Sequence, residues 1–189
     1  MNVARILYPV KVLGPGNRVG IWVSGCNRKC LGCSNPELWK PKEEYEIQVD
    51  QLSDLINRVW STNSIDGFTI SGGEPFLQSE ELSLLIEEIT QISSDILVYT
   101  GFTLQELHDL HDSYVEKILS SICVLVDGPY IQKLNDNVFL RGSNNQCIHI
   151  LNKKYERKYK QYLHNGQNEI QNFISKDGVI SVGIHRKDF

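Results

Sequence analysis

The chain has 189 residues and a mass of 21.6 kDa, with 41% apolar and 22% charged residues. These values are typical of one soluble globular domain and exclude a disordered chain, a collagen-like chain and a disulfide-rich miniprotein. The net charge of −4 provides no positive field to attract nucleic acid or a membrane surface. Because we find neither an apolar leader nor an apolar run of roughly 20 residues, we expect a cytoplasmic protein without membrane contact.

Apolar residues alternate along the chain between short continuous runs, typical of strands, and the three-four spacing of helices. The segment 103–110 also begins with a Thr-x-x-Glu capping box, Thr103 to Glu106. In chain order the predicted elements are a strand at 19–23, a helix at 50–61, a strand at 67–71, a helix at 79–92, a strand at 95–99, a helix at 103–110, and strands at 122–126, 146–151 and 179–184.

This alternation of strands and helices predicts an α/β fold with parallel strand pairing. In such folds, ligands bind beyond the carboxyl ends of the strands. The unusual stretches of this sequence all follow predicted strands: three cysteines, then Gly-Gly-Glu, Tyr-Thr-Gly and Asp-Gly-Pro. We therefore expect a functional site at that edge of the sheet.

The odd number of cysteines, five, does not indicate a disulfide framework in a chain without a signal peptide. Three of them form a compact motif, Cys26-x3-Cys30-x2-Cys33. A fourth ligand for tetrahedral zinc is missing nearby, whereas three thiolates suit a [4Fe–4S] cluster with one iron free of protein ligands. The spacing favours a cluster, and the alternatives are a zinc site completed from afar or three unrelated thiols.

The second motif is Ser-Gly-Gly-Glu-Pro at 71–75. Its paired glycines, Gly72 and Gly73, allow the backbone to approach a ligand closely, and Glu74 can accept hydrogen bonds from an ammonium group. Taken alone, the motif is better explained by a plain strand-to-helix turn.

Together the two motifs resemble the radical S-adenosylmethionine (SAM) superfamily. Within it, residues 25–39 resemble the subgroup of anaerobic (class III) ribonucleotide reductase activating proteins. Three further stretches support this subgroup, at 99–102, 125–130 and 141–146. The resemblance extends over about residues 5–151.

The resemblance implies a small, incomplete radical SAM barrel of parallel strands with flanking helices and the cluster at its open top. Its cofactors would be a [4Fe–4S] cluster and SAM. The three cysteines would hold three irons, and SAM would bind the fourth. The amino end of SAM would lie at Gly72, Gly73 and Glu74.

Three more residues are candidate cofactor contacts, namely Tyr99, Asp127 and Arg141. Asp127 is equally well explained as a turn residue. Arg141 has three possible roles, which are binding a carboxylate, pairing with Asp127 and pointing into solvent. Gly32 departs from the superfamily, because many members carry at this position an aromatic residue that helps to hold adenine.

The implied activity is cleavage of SAM to a 5′-deoxyadenosyl radical, which would install a glycyl radical on a larger protein, an anaerobic ribonucleotide reductase. The expected electron donor is a protein such as flavodoxin. The alternative is a small radical SAM enzyme that abstracts hydrogen from a different peptide or small molecule. A non-catalytic iron–sulfur carrier or zinc module is disfavoured, because neither needs a clamp for an amino acid.

The sequence predicts a radical SAM core at 1–151 and a C-terminal extension at 152–189 that packs on the core. Within the extension, the stretch 152–168 is basic and rich in tyrosine. Such a stretch is typical of a solvated helix face. A docking surface for an acidic partner or RNA is the alternative.

Overall fold

The computed structural model describes residues 1–176 and 178–185. The main sheet contains β1 Val3–Val10, β2 Arg18–Val23, β3 Gly67–Gly72, β4 Ile96–Tyr99, β5 Val124–Asp127 and β6 Cys147–Ile150. The helices are α1 Val49–Thr62, α2 Ser79–Thr90, α3 Leu104–Asp109, α4 Ser113–Ser121 and α5 Glu156–Asn165. A separate hairpin consists of β7 Ile170–Ser175 and β8 Gly178–Gly183.

The six strands of the main sheet lie side by side in chain order. The four central strands, β2 to β5, are parallel. The outer strands are antiparallel to their neighbours, so the expectation of a sheet of parallel strands holds only for the centre. The physical reason lies in the connections: a helix crosses over between each parallel pair, whereas α-helices are absent from the described connections β1–β2 and β5–β6.

Each predicted element is present within about two residues of its predicted bounds. The capping box at the start of α3 is confirmed, because Thr103 N donates to Glu106 Oε2 at 2.6 Å and Glu106 N donates to Thr103 Oγ1 at 3.2 Å. The sequence did not predict β1, α4 or β7. β1 lacks a continuous apolar run, since Arg5 and Pro9 interrupt it.

One face of the sheet packs against α1, α2 and α4. The apolar stripe predicted for α2 is confirmed, since all four of its residues are buried: Leu82, Leu85, Ile86 and Ile89. In β4, Ile96 and Val98 point to this face, while Leu97 between them belongs to the opposite core. The sheet is therefore covered on both sides.

The opposite face packs against the C-terminal segment. Tyr159 of α5 is fully buried against Leu97 and Val126. In the hairpin, Val182 is buried beside Trp22 and Leu38. Both the helix and the hairpin thus contact the sheet, while residues 177 and 186–189 of the predicted extension lie outside the described residues. None of the described helices is long and apolar enough to span a membrane.

A buried ion network joins the amino-terminal ends of the central strands. Arg18, at the start of β2, is fully buried, and its Nη1 lies 3.0 Å from Asp95 Oδ1. Its Nε donates to Thr69 Oγ1 at 2.7 Å, and its Nη2 donates to the carbonyls of Phe68 and Asp95. One guanidinium therefore ties together three neighbouring strands.

The same network fixes α5 to the sheet. Lys158 Nζ lies 2.5 Å from Asp95 Oδ2, and Tyr159 Oη donates to Asp95 Oδ1 at 2.6 Å. Burial alone would raise the pKa of Asp95, but Arg18, Lys158 and Tyr159 outweigh it and hold that pKa below its usual value. The helix therefore does more than present a solvated face, since Lys158 and Tyr159 both contact Asp95.

This network leads to a stability prediction. Replacing Asp95 by Asn leaves two cations without a counter-charge, so Asp95→Asn should lower the free energy of unfolding by about 3–5 kcal/mol. Glu156→Gln, which removes only the exposed pair with Lys160, is the matched control and should change little. Urea denaturation followed by circular dichroism measures both.

The pH dependence provides a second check on the same variant. The pKa of Asp95 is lower in the folded protein than in the unfolded chain. The ionised carboxylate therefore contributes fully to the free energy of unfolding at pH values above its unfolded pKa of about 3.9. This contribution is lost as the pH falls through the folded pKa. The difference in the free energy of unfolding between wild type and Asp95→Asn should be constant from about pH 5 to 8 and should become smaller below about pH 4. A gap that widens in acid would contradict this assignment.

Candidate active site

A cavity of about 560 Å³ lies at the carboxyl-terminal edge of β2 to β5. Four segments predicted to meet there contribute to its wall: the cysteine loop, the Gly-Gly-Glu turn after β3, the residues after β4 and the loop after β5. All three motif cysteines, Cys26, Cys30 and Cys33, line it. The fold thus brings both sequence motifs to one cavity.

Backbone hydrogen bonds hold the base of the cysteine loop. Gly25 N donates to Leu38 O at 2.8 Å, and Cys26 N donates to Trp39 O at 2.9 Å. Leu38 is fully buried at the end of a short 3-10 turn that begins at Pro36. The loop is therefore closed by its own backbone, which fixes the position of Cys26 independently of a metal.

The three thiols have the chemistry of a cation site. Burial raises the pKa of Cys30, and the neighbouring thiols of Cys33 and Cys26 raise it further. Three thiolates in one loop repel one another, so a bound cation or cationic cluster is needed to stabilise them together.

The cysteine loop supplies three thiol ligands rather than four. Among the described residues, the group whose ligand atoms lie within 4.8 Å of one another consists of Asp127, Cys147 and His149, not of the loop cysteines. Structural zinc sites are almost always closed by four protein ligands. The donor set and the adjoining cavity fit a multi-iron cluster with room for a further ligand.

The glycines of the second motif permit close contact between β3 and the cysteine loop. Gly72 has φ of +115°, in the region that favours glycine. A Cβ on Gly73 would come within 2.3 Å of Gly25 O, and Glu74 N donates to the same carbonyl at 2.8 Å. The two motifs are therefore joined directly through their backbones.

Glu74 lines the cavity but is only 1% exposed. Its carboxylate accepts hydrogen bonds from Phe76 N at 3.1 Å, Thr100 Oγ1 at 2.7 Å and Gly101 N at 2.7 Å. Burial nevertheless raises the pKa of Glu74 above its usual value. The residue links the ends of β3 and β4, so its role as a turn residue is present in the structure.

The other candidate residues lie in different surroundings. Tyr99 lines the cavity, and its hydroxyl donates to Leu140 O at 3.0 Å. Asp127 and Arg141 are not among the cavity-lining residues in the described part of the chain. Their predicted cofactor contacts remain predictions.

The carboxylate of Asp127 instead organises neighbouring backbone. It accepts hydrogen bonds from Leu104 N at 2.6 Å and Cys147 N at 3.1 Å, and it lies 3.0 Å from His149 Nε2. Arg141 does not pair with Asp127 among the described residues, since it donates to Gln146 O and to Asn144 Oδ1. Both residues thus stabilise the β5–β6 region in this structure.

The sequence did not identify Arg28 as a site residue, although its position between two motif cysteines was an available signal. Its guanidinium stacks over Phe102 at 4.2 Å and lies 3.0 Å from Glu106. Arg28 therefore anchors the cysteine loop to the start of α3. His185, at the end of the hairpin, also lines the cavity, and no motif marked it.

Comparison with known proteins agrees with this geometry. Residues 12–149 match a family model described as a 4Fe-4S single cluster domain. The anaerobic ribonucleoside-triphosphate reductase-activating protein of Escherichia coli (strain K12) is 33% identical over 152 residues, which cover 76% of this chain and 96% of that protein. The proteins of the same name from Haemophilus influenzae and Enterobacteria phage T4 are 35% and 32% identical.

These two alignments cover 75% and 78% of this chain and 94% and 93% of the relatives. The relatives are thus matched almost end to end, and about a quarter of this chain lies outside the match. The 4Fe-4S match resolves the choice between a cluster and a zinc site. The relatives also confirm the resemblance that the two motifs indicated. The chain belongs to the family of anaerobic ribonucleoside-triphosphate reductase-activating proteins.

Proposed function

We propose that this protein installs a glycyl radical on a larger protein partner, an anaerobic ribonucleoside-triphosphate reductase. The single observation that most supports this function is the cavity shared by the three cluster cysteines and the Gly-Gly-Glu turn. A structural zinc module needs no such second motif, whereas an enzyme that binds an amino-acid-like cofactor beside a cluster needs both.

The cofactors are a [4Fe–4S] cluster and SAM. The chemistry that they supply when bound is one-electron cleavage of SAM to methionine and a 5′-deoxyadenosyl radical, which takes hydrogen from a glycine of the partner. Cys26, Cys30 and Cys33 would hold three irons through their thiolates and leave one iron for SAM. The task of the protein is binding, orientation and exclusion of water.

We propose that Glu74 accepts a hydrogen bond from the ammonium group of SAM. A carboxylate offers about four acceptor positions, and internal donors occupy three of those of Glu74. Glu74 is one of the residues that line the cavity. Because burial disfavours the charged carboxylate, a cationic ligand there would stabilise it strongly.

The six-stranded sheet is consistent with a partial radical SAM barrel whose open top is the cavity. In this proposal residues 1–151 form the radical SAM core and 152–189 an extension packed on it. The cavity edge stays accessible, so a loop of the partner would reach the cofactors there and complete the site.

We also propose an acidic electron donor such as flavodoxin, in a reducing compartment such as the cytoplasm. Leu31 on the cluster loop is 80% exposed, and Lys29 beside it is exposed as well. An apolar side chain flanked by a cation suits docking of an acidic protein close to the cluster. All five cysteines are free thiols, which suits a reducing compartment.

The first prediction concerns iron. Substituting Ala for any one of Cys26, Cys30 and Cys33 should remove most of the iron after anaerobic reconstitution, because each thiolate holds one iron. Cys147→Ala is the matched control at an exposed thiol, and Cys123→Ala tests the buried one. Both should retain the iron and sulfide of one cluster, so a second cluster or iron loss in either control would contradict the assignment.

The second prediction concerns SAM. Glu74→Gln preserves the size of the side chain but removes its charge, so SAM should bind about tenfold or more weakly while the cluster spectrum is unchanged. Equilibrium dialysis with labelled SAM measures the affinity. Glu156→Gln makes the same chemical change at a carboxylate on α5 that does not line this cavity, so it is the control and should bind SAM as wild type does. Equal affinity of Glu74→Gln and wild type would exclude the proposed contact.

The third prediction tests the function itself. Reduced protein, SAM and a candidate anaerobic reductase should yield the doublet of a glycyl radical in electron paramagnetic resonance, together with 5′-deoxyadenosine. The Cys30→Ala protein should yield neither product. Formation of 5′-deoxyadenosine without a radical on any reductase tested would favour the alternative, hydrogen abstraction from another peptide or small molecule.

A further inference from the structure

The C-terminal hairpin reaches the cavity. Three consecutive residues at the end of β8 and just beyond it line the wall: Gly183, Ile184 and His185. They share this cavity with the cluster cysteines and Glu74, although they lie more than 100 positions away in the sequence. The family match ends at residue 149, before α5 and the hairpin, so this part of the wall is additional to the matched domain.

The hairpin is fixed in place from two sides. On the sheet side, Gln171 Nε2 donates to Pro9 O at 2.7 Å, and Lys11 N donates to Gln171 Oε1 at 2.9 Å. Val182 is 3% exposed and packs beside Trp22. These contacts hold the hairpin against β1 and β2, so its end has a defined position.

On the cavity side, the loop after β5 holds the end of the hairpin. Asn135 Nδ2 lies within hydrogen-bond distance, 3.2 Å, of both His185 O and Tyr130 Oη. Tyr130 is itself a cavity-lining residue. The backbone at His185 is thus connected to the opposite portion of the wall, as expected for a built part of a binding site.

We propose that the hairpin forms part of the SAM-binding wall and that the ring of His185 contacts the nucleoside of SAM. This inference rests on the proposed function, which places the amino-acid end of SAM at Glu74. The nucleoside must then face the rest of the wall, to which the hairpin contributes.

The chemistry of His185 suits this contact. Imidazole presents a flat face on which a purine can stack. Burial lowers the pKa of His185, which favours the neutral ring over a cation that would repel the positively charged sulfonium of SAM. The extension therefore supplies a contact that the matched domain by itself does not contain.

Binding to the reconstituted protein with its cluster oxidised, so that SAM is not cleaved, tests the inference. His185→Ala should reduce the affinity for SAM about fivefold or more in equilibrium dialysis, and His185→Phe, which retains a flat ring, should recover most of it. The matched control is His164→Ala, at an exposed histidine on α5. Iron content and the urea midpoint of each variant show whether the fold and cluster are intact.

A second readout does not depend on any variant. Diethylpyrocarbonate modifies accessible histidines, and mass spectrometry locates the modified residues. SAM should slow modification of His185 and leave that of His164 unchanged. If wild type binds SAM but His185→Ala binds it equally well and His185 is not protected, the inference is wrong while the proposed function stands. If wild type does not bind SAM, both are wrong.

Discussion

The buried carboxylate of Asp95 is the point at which the sheet and the C-terminal helix are connected by charge. Arg18 and Lys158 neutralise it from opposite sides, and Tyr159 donates a further hydrogen bond. Separating α5 from the sheet would remove Lys158 and Tyr159 from Asp95 and leave this buried carboxylate with Arg18 as its remaining charged partner. Folding of the C-terminal segment is therefore coupled to the strand order of the core.

The two ends of the parallel strands are consequently specialised. The amino-terminal end is closed by side-chain charges, whereas the carboxyl-terminal end is built from turns whose backbones approach closely. There Glu74 accepts three hydrogen bonds that shape the turn and also lines the cavity. The buried ion network and the cavity thus lie at opposite edges of one sheet, as the stabilising and ligand-binding faces do in larger α/β barrels.

Much of this architecture could be predicted from the sequence because it is encoded by patterns of residues that lie close together in the chain. The cysteine spacing, the capping box at Thr103 and the apolar stripe of α2 each depend on neighbours within one or two turns. The antiparallel direction of β6 could not be predicted, because a long loop without a helix permits either direction. His185 was missed for a related reason: its place in the cavity depends on hairpin contacts with residues such as Pro9, far away in the sequence.

The close approach of Gly73 to Gly25 has a consequence for how this site can change over evolution or by engineering. The separation between the cysteine loop and the Gly-Gly-Glu turn is set by main-chain atoms in contact, so it does not depend on which side chains surround it. Substitutions elsewhere on the wall can alter which molecules enter the cavity without moving the two motifs apart. The reactive centre is in this sense a fixed unit, and the surrounding residues are the variable part.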